Sequence, residues 1–169
     1  LQDLDYENGY SLYVGIPFCP SICLYCSFGS HPLERWTKRV DEYLDTLCKE
    51  LTFIREQMGA RKLTTVYIGG GTPTTLEPEQ LRRLLSHIQE TFDFTWVKEY
   101  TVEAGRPDSI TREKLQVMKE FPVTRISVNP QTMNQKTLDV IGRKHTVEDT
   151  VNIFHMAREL EFDNINMDL

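Results

Sequence analysis

The run Leu12-Tyr-Val-Gly-Ile-Pro-Phe-Cys19-Pro-Ser-Ile-Cys23-Leu-Tyr-Cys26 joins an apolar segment to three closely spaced cysteines. Its apolar part, Leu12 to Ile16, predicts a buried β-strand, so the cysteines follow a strand end. Their spacing, three intervening residues and then two, suits thiolates that share an iron–sulfur cluster. Three cysteine ligands leave one iron of a [4Fe-4S] cluster without a protein ligand, and an open iron can bind a reactant.

Spacing alone leaves other uses of these thiols open. A structural zinc site needs a fourth ligand, for which His31 is the nearest candidate. A disulfide framework is disfavoured, because three clustered cysteines and a lone Cys48 are too few and too unevenly placed for a small secreted scaffold. Inert thiols are the remaining alternative. For Cys48, in a charged helical stretch, we expect a packed or half-exposed helix thiol.

Composition is that of a globular protein and excludes several function classes. Of the 169 residues, 40% are hydrophobic, which allows one domain with a core. The formal net charge is −6 and no basic patch is interleaved with aromatic residues, so we predict no nucleic-acid partner. No apolar run approaches the roughly 18 residues of a membrane span, and no signal-peptide pattern is present. With reduced thiols, these features favour a cytoplasmic location.

Strands and helices alternate along the sequence without hairpin signals. Strands are predicted at 12–16, 65–68, 99–104, 125–128 and 164–169. Helices are predicted at 36–57, 78–90, 108–119, 134–140 and 147–160. This order predicts an α/β fold with a parallel sheet and right-handed crossovers. A doubly wound sheet and a partial (β/α) barrel both fit. The barrel is favoured, because polar and glycine-rich residues follow every strand and would lie on one rim.

Both ends of the sequence have the features expected of a chain that has been cut. Residues 1–10 begin with Leu1 and are polar, which we interpret as a lead-in from an upstream region. The sequence stops at Leu169 within a strand pattern, and a sheet edge at a chain end is unusual in a complete domain. We therefore expect residues 11–169 to be the N-terminal part of a barrel cut after about five strands. Alone, they should bind a cluster poorly and turn over nothing.

Each predicted strand is followed by residues with binding chemistry. The glycines of Gly69-Gly-Gly-Thr72 lack Cβ atoms and let a ligand approach the backbone. Glu103 can accept hydrogen bonds from a diol, and Gln131 offers both a donor and an acceptor. Arg143 presents a planar fork to a carboxylate, and Asp168 lies on the fifth strand. Such a rim suits a ligand with an amino acid end and a nucleoside end.

Plainer interpretations exist for three of these features. The glycine run is also typical of a tight strand-to-helix turn. Glu103 has a possible ion-pair partner in Arg106. His145 can satisfy a carbonyl at a helix start rather than contact a ligand.

Six sequence blocks resemble the radical S-adenosylmethionine superfamily, most closely its oxygen-independent coproporphyrinogen III oxidase group, with its oxidase-like proteins and haem chaperones. The blocks are Tyr13-Val-Gly-Ile-Pro-Phe-Cys19, the cysteine run to Cys26, Gly69-Gly-Gly-Thr-Pro-Thr74, Val102-Glu-Ala104, Arg125-Ile-Ser-Val-Asn-Pro-Gln131 and Gly142-Arg-Lys-His145. They occur in the family's order and cover nearly the whole chain. The cysteine motif is typical of the superfamily, and the glycine, glutamine and arginine blocks narrow it to this group.

The resemblance implies a partial parallel (β/α) barrel of the radical SAM type, with a [4Fe-4S] cluster and S-adenosyl-L-methionine as cofactors. It implies cluster ligands at Cys19, Cys23 and Cys26. Positions that match the family's cofactor contacts are Tyr13, Tyr25, Phe28, Gly70, Gly71, Thr72, Glu103, Gln131, Arg143 and Asp168. An electron from a donor such as flavodoxin or ferredoxin would cleave the cofactor to methionine and a 5′-deoxyadenosyl radical, which abstracts a substrate hydrogen.

For the oxidases that substrate is coproporphyrinogen III, whose propionates lose carbon dioxide in haem biosynthesis. The implied partner is thus a tetrapyrrole or another small molecule. True oxidases, however, carry His where this chain has Gly15, and a further Cys where it runs Cys26-Ser-Phe28. The residues after Glu103 also differ from the usual Asn-Pro. A haem-binding or haem-delivering protein on the same scaffold is therefore a second hypothesis, and a zinc or thiol-only domain is a third.

Overall fold

The computed structural model describes residues 7–28 and 31–169 of the chain. Within them the strands are β1 Gly9–Ile16, β2 Phe18–Cys19, β3 His31–Pro32, β4 Lys62–Gly70, β5 Glu99–Gly105, β6 Arg125–Val128 and β7 Ile165–Met167. The helices are α1 Leu33–Trp36, α2 Val40–Met58, α3 Pro78–Thr91, α4 Arg112–Lys119, α5 Gln135–Val140 and α6 Val147–Glu159. Among these elements, no helix is long and apolar enough to cross a membrane.

The larger sheet of the described residues is parallel throughout, in the order β1-β4-β5-β6-β7. Each strand lies beside the one that precedes it in the larger sheet, so the order never reverses. A doubly wound sheet has such a reversal, and its ligand site lies there. A (β/α) barrel adds strands in sequence and gathers its functional residues at the carboxyl ends. The strand order therefore confirms the predicted α/β, partial-barrel architecture.

The helices cover one face of this sheet and leave the other for polar groups. Alternation in β1 points Leu12, Val14 and Ile16 into the core, whereas Tyr13 is 60% exposed on the opposite face. The core also contains leucines of α2, α3 and α4, including Leu44, which is completely buried. Burial of one such side chain contributes about 1.5–3 kcal/mol. The apolar face, covered by the helices, thus holds the fold together. The opposite face of the sheet, which carries Tyr13 and is called the inner face below, is left for binding.

Several element boundaries differ from the sequence expectation, two of them next to site residues. The helix expected from residue 36 is divided, with α1 ending at Trp36, a tight turn at Thr37–Arg39, and α2 starting at Val40. Trp36 packs on His31 with ring centroids 5.1 Å apart, which fixes α1 beside the small sheet. The last strand ends at Met167, so Asp168 lies just beyond it rather than on it.

The second sheet, β2 with β3, was not expected from the sequence. Phe18 and Cys19 pair in parallel with His31 and Pro32, and the amide of His31 donates to the Pro17 carbonyl at 2.7 Å. Pairs this short give no periodicity that a sequence pattern can show. The consequence is that Cys19 is fixed by backbone pairing as soon as the chain leaves β1.

The helix ends follow ordinary capping chemistry. Pro78 begins α3 as expected, and Glu77 and Gln80 form a capping box around it. The expected helix at 108–119 begins later, at Arg112, because the Thr111 side chain accepts from the Lys114 amide and caps it there. Gly59, with φ +56°, follows the last residue of α2 and ends it. These caps set where each helix returns the chain to the sheet.

Candidate cofactor site

The three clustered cysteines line one small cavity of about 70 Å³ at the carboxyl end of the sheet. Cys19 and Cys23 are nearly buried and Cys26 is half-buried, and none of the three forms a disulfide. The loop between them is held by a bond from the Leu24 amide to the Ile141 carbonyl, 3.2 Å long. Three free thiols on one cavity wall are the first requirement of the predicted cluster site.

The thiols surround a space rather than meet at a point. Within residues 7–28 and 31–169, no three His, Cys, Asp or Glu side chains converge closely enough to hold a single metal ion. A zinc ion requires sulfurs about 2.3 Å from one centre. In a [4Fe-4S] cluster each cysteine binds its own iron, so the thiolates stand apart. His31, the candidate fourth zinc ligand, lines a separate cleft with Trp36. The arrangement therefore fits a cluster better than a single zinc ion.

Gly71 brings the glycine loop against the first cysteine. A Cβ on Gly71 would lie 2.6 Å from the Phe18 carbonyl oxygen and 3.0 Å from Cys19 Sγ. The Thr72 hydroxyl lies 3.5 Å from the same sulfur. The Gly71 amide already donates to Ile16, and the Thr72 amide donates to Phe18. These two amides are therefore not open to a ligand, and what the loop offers is a close, side-chain-free edge.

Arg143 is a buried guanidinium with unused donors. Its Nη2 donates to the Tyr25 hydroxyl at 2.8 Å, whereas Nε and Nη1 find no partner among the described residues. Leaving a buried donor unpaired costs about 1–3 kcal/mol, and more for a charged group. Arg143 lines the cysteine cavity, and its fork matches a carboxylate. The orphaned donors therefore fit the carboxylate end of an amino acid ligand.

Glu103 and Asp168 belong to one hydrogen-bonded chain on the inner face. Asn129 Nδ2 donates to Glu103 Oε1 at 2.6 Å, and the Ser127 hydroxyl lies 3.2 Å from Asn129 Oδ1. Asn166 Nδ2 reaches Ser127 Oγ at 3.1 Å and Asp168 Oδ1 at 2.9 Å. Burial raises the pKa of Glu103, which the Asn129 bond only partly offsets. The two acids thus stand on one polar row rather than as separate surface groups.

The alternative pairing of Glu103 with Arg106 is wrong. Arg106 forms a two-point ion pair with Asp108, with Nε–Oδ1 at 2.9 Å and Nη2–Oδ2 at 2.8 Å. A bulge between Glu103 and Gly105, together with the positive φ of Gly105, +75°, turns Arg106 away from the inner face. Asn129 is the actual partner of Glu103.

Gln131 has a strained backbone at a predicted contact position. Its φ is +71°, which for a residue other than glycine costs on the order of 1–3 kcal/mol. The Gln131 amide donates to the Asp168 carbonyl at 2.9 Å and so ties two predicted site residues together. Its half-buried side chain makes no hydrogen bond to another described residue. Strain and an unused amide at one residue are typical of binding sites.

The predicted aromatic contacts fall into two neighbouring clefts that share Gly71. Tyr25 lines the cysteine cavity, whereas Tyr13, Phe28 and Gly70 line a cleft of about 220 Å³ beside it. Tyr13 stacks on Tyr67 with ring centroids 5.8 Å apart. The sequence interpretation missed Tyr67 as an inner-face residue, although alternation along β4 places it on the same face as Gly69. Burial and then the charge of Glu103 raise the pKa of Tyr67 to about 12.

Two further residues, His145 and Cys48, do not line the cysteine cavity. His145 is 1% exposed, and neither ring nitrogen makes a hydrogen bond of ordinary geometry within the described residues. Burial lowers the pKa of His145, with the Arg143 charge assisting and the Pro130 carbonyl opposing. Cys48 is half-buried on α2, as expected, and its carbonyl lies 2.8 Å from His87 Nε2. Cys48 therefore has no place in the site.

An unreversed parallel sheet with three cysteines and a glycine loop at its carboxyl end defines the architecture of a radical SAM barrel. The sequence model of the Radical SAM superfamily matches residues 13–169, and the chain belongs to this superfamily.

Comparison with known proteins identifies relatives of the chain within this superfamily. The chain is 44% identical over 166 residues to the oxygen-independent coproporphyrinogen-III oxidase-like protein HemZ of Bacillus subtilis, covering 96% of this chain and 33% of HemZ. It is 41% identical over 160 residues to the heme chaperone HemW of the same organism, covering 94% and 41%. The solved coproporphyrinogen III oxidase HemN of Escherichia coli superposes with TM-score 0.86 at 30% identity, covering 96% and 37%. The chain thus spans between 33% and 41% of the length of these relatives.

Proposed function

We propose that Cys19, Cys23 and Cys26 hold a [4Fe-4S] cluster and that S-adenosylmethionine binds beside it. The observation that carries this proposal is the buried guanidinium edge of Arg143, which has no partner among residues 7–28 and 31–169 and lies on the same cavity as three free thiols. Superfamily membership supports both cofactors. When bound, they supply one-electron cleavage to methionine and a 5′-deoxyadenosyl radical, with the electron from a donor such as flavodoxin or ferredoxin.

The side chains of this chain bind and orient the ligand. Arg143 holds the methionyl carboxylate through Nε and Nη1, while Tyr25 fixes the guanidinium through Nη2. The Gly70–Thr72 edge admits the methionyl group close to Cys19.

The inner face serves the nucleoside half. Glu103 and Asp168 accept from the ribose hydroxyls, and Gln131 offers its free amide. Tyr13 and Phe28, both exposed on the adjoining cleft, flank the adenine.

We propose a tetrapyrrole as the substrate class, with coproporphyrinogen III decarboxylation in the cytoplasm as the leading reaction. The names of the HemZ and HemN relatives support it. Haem carriage on the same scaffold is the second candidate, because the identity to the heme chaperone HemW, 41%, is almost as high as that to HemZ. Gly15 departs from the His that the resemblance implies for true oxidases, as oxidase-like relatives do, so it weakens the case for decarboxylation but not for cofactor cleavage.

The test is anaerobic reconstitution of the full protein chain, followed by chromatography for 5′-deoxyadenosine with and without coproporphyrinogen III. We expect a brown protein that forms 5′-deoxyadenosine on reduction, with carbon dioxide release only when the porphyrinogen is present. Stoichiometric zinc with no iron would contradict the cofactor proposal. Stoichiometric haem binding without carbon dioxide release would replace decarboxylation by haem carriage. The Cys48→Ala variant is the matched cysteine control, because this thiol lies on α2 outside the cavity.

A further inference from the structure

Arg106 connects the end of β5 to the loop that carries the second cysteine. Its Nη1 donates to Ser21 Oγ at 2.7 Å and to the Ser21 carbonyl at 3.2 Å, and lies 3.8 Å from Cys23 Sγ. The opposite edge of the guanidinium is occupied by Asp108. Arg106 is 3% exposed, so these contacts lie almost out of reach of water. Unlike Arg143, it has its donors engaged by the protein itself.

The backbone around Arg106 is built for this approach. Gly105 has φ +75°, and a Cβ there would lie 2.8 Å from Thr72 Cγ2, so only glycine lets the strand end come this close to the glycine loop. Behind Arg106, Lys114 Nζ donates to the Thr74 carbonyl at 2.6 Å and the Ser109 carbonyl at 3.3 Å. Ser109 Oγ donates to the Arg106 carbonyl at 2.8 Å. Ser109 thus holds the main chain of Arg106, and Lys114 in turn holds Ser109 against the turn that contains Thr74.

We infer that Arg106 is a positioning residue that fixes the Cys23 thiolate and, through its charge, sets how readily the cluster accepts an electron. The inference rests on the proposed function, since it needs the cluster. Reduction adds negative charge to a group already held by thiolates. A buried cation with N–H groups directed at a ligand sulfur stabilises the reduced form, because hydrogen bonds to sulfur and local charge set cluster potentials.

Asp108 moderates this effect. Its carboxylate neutralises the far side of the guanidinium, so Arg106 acts as a cation whose charge is partly compensated. The Asp108 side chain is more exposed than that of Arg106, 20% against 4%, and solvent screens it more strongly. Removing the acid should therefore move the cluster potential in the direction opposite to removing the base, and by less.

The experiment is an EPR-monitored redox titration of the reconstituted full chain without S-adenosylmethionine. Arg106→Gln should make reduction at least tenfold less favourable, which is a fall of about 59 mV for one electron. Asp108→Asn should raise the potential, by a smaller factor. Arg106→Lys keeps the charge and should stay closer to wild type than Arg106→Gln. Arg112→Gln, which breaks an exposed ion pair with Glu159, is the matched control and should shift nothing.

Opposite shifts in the glutamine and asparagine variants support the inference. Equal potentials in all variants, or shifts of the same sign, would overturn it even if cluster content falls, because a purely structural role lowers occupancy without separating the signs. If Arg106→Gln does not fold, the predicted rise in Asp108→Asn still decides. A full-length wild-type protein that binds no cluster would refute the proposed function and the inference with it, whereas a normal cluster with unmoved potentials refutes the inference alone.

Discussion

Arg106 and Arg143 line the same cavity and are both buried, yet their surroundings differ in kind. Arg106 has a carboxylate on one edge and a serine and a cysteine on the other. Arg143 has a single tyrosine hydroxyl and two donors with no partner in the described residues. Buried polar groups in folded proteins are almost always paired. The paired donors of Arg106 therefore tie neighbouring segments of the protein together, whereas the unpaired edge of Arg143 on the cavity wall leaves a place for a ligand.

The largest expected effect is loss of the cluster from the cavity that Arg106 and Arg143 both line. Cys23→Ala removes one of the three proposed cluster ligands, so we expect the reconstituted variant to lose nearly all bound iron and sulfide and the brown colour. Iron and sulfide analysis measures this. Cys48→Ala, the control on α2, should keep both. Full cluster content in Cys23→Ala would mean that the cavity is not the cluster site.

Replacing Arg143 tests whether its unpaired edge binds the ligand. Arg143→Gln removes the unpaired fork, and we expect S-adenosylmethionine to bind roughly tenfold to a hundredfold more weakly, the loss of a hydrogen bond to a charged group worth about 1.5–3 kcal/mol. Cluster content should not change. Equilibrium binding to the reconstituted protein measures the affinity, and an unchanged affinity would remove Arg143 from the ligand site.

In the protein without cofactors, replacing Arg106 should lower the free energy of unfolding more than replacing Arg143. Arg106→Ala leaves Asp108 without its partner, and we expect a loss of about 2–3 kcal/mol, below the roughly 3–5 kcal/mol of a completely buried pair because Asp108 is partly exposed. Arg143→Ala removes two donors with no partner in the described residues and one bond to the half-exposed Tyr25 hydroxyl, and should cost about 1 kcal/mol or less. Urea unfolding of the metal-free variants gives both values. Equal losses would show that the two environments do not differ.

The smallest effect concerns His145, whose pKa is lowered by burial and by the charge of Arg143. The unfolded chain takes up a proton near the ordinary value of 6.5, while the folded chain does so only at lower pH. The unfolded state therefore binds more protons in that window, and stability falls as pH drops below about 6.5. We expect His145→Gln to flatten this acid slope in urea unfolding of the apo-protein. An identical slope in the variant would contradict the assignment.

Much of the fold followed from the sequence because the apolar periodicity of its strands and helices is strong. Strand ends in a parallel sheet share one edge, so the positions of Gly71, Glu103 and Arg143 near one rim could also be anticipated. The role of Arg106 could not. It depends on a bulge and on the left-handed backbone of Gly105, and neither leaves a periodic trace in the sequence. The pair β2–β3 was missed for a similar reason, since two residues carry no pattern.

Lys114 shows a way of joining two loops that sequence change hardly disturbs. Its ammonium group donates to main-chain carbonyls of Thr74 and Ser109, one in each of the turns that follow β4 and β5. A carbonyl oxygen is present whatever residue occupies the position, so no substitution in either turn can delete the acceptor. One helix thereby sets the spacing of the two turns through main-chain acceptors, whichever side chains occupy positions 74 and 109.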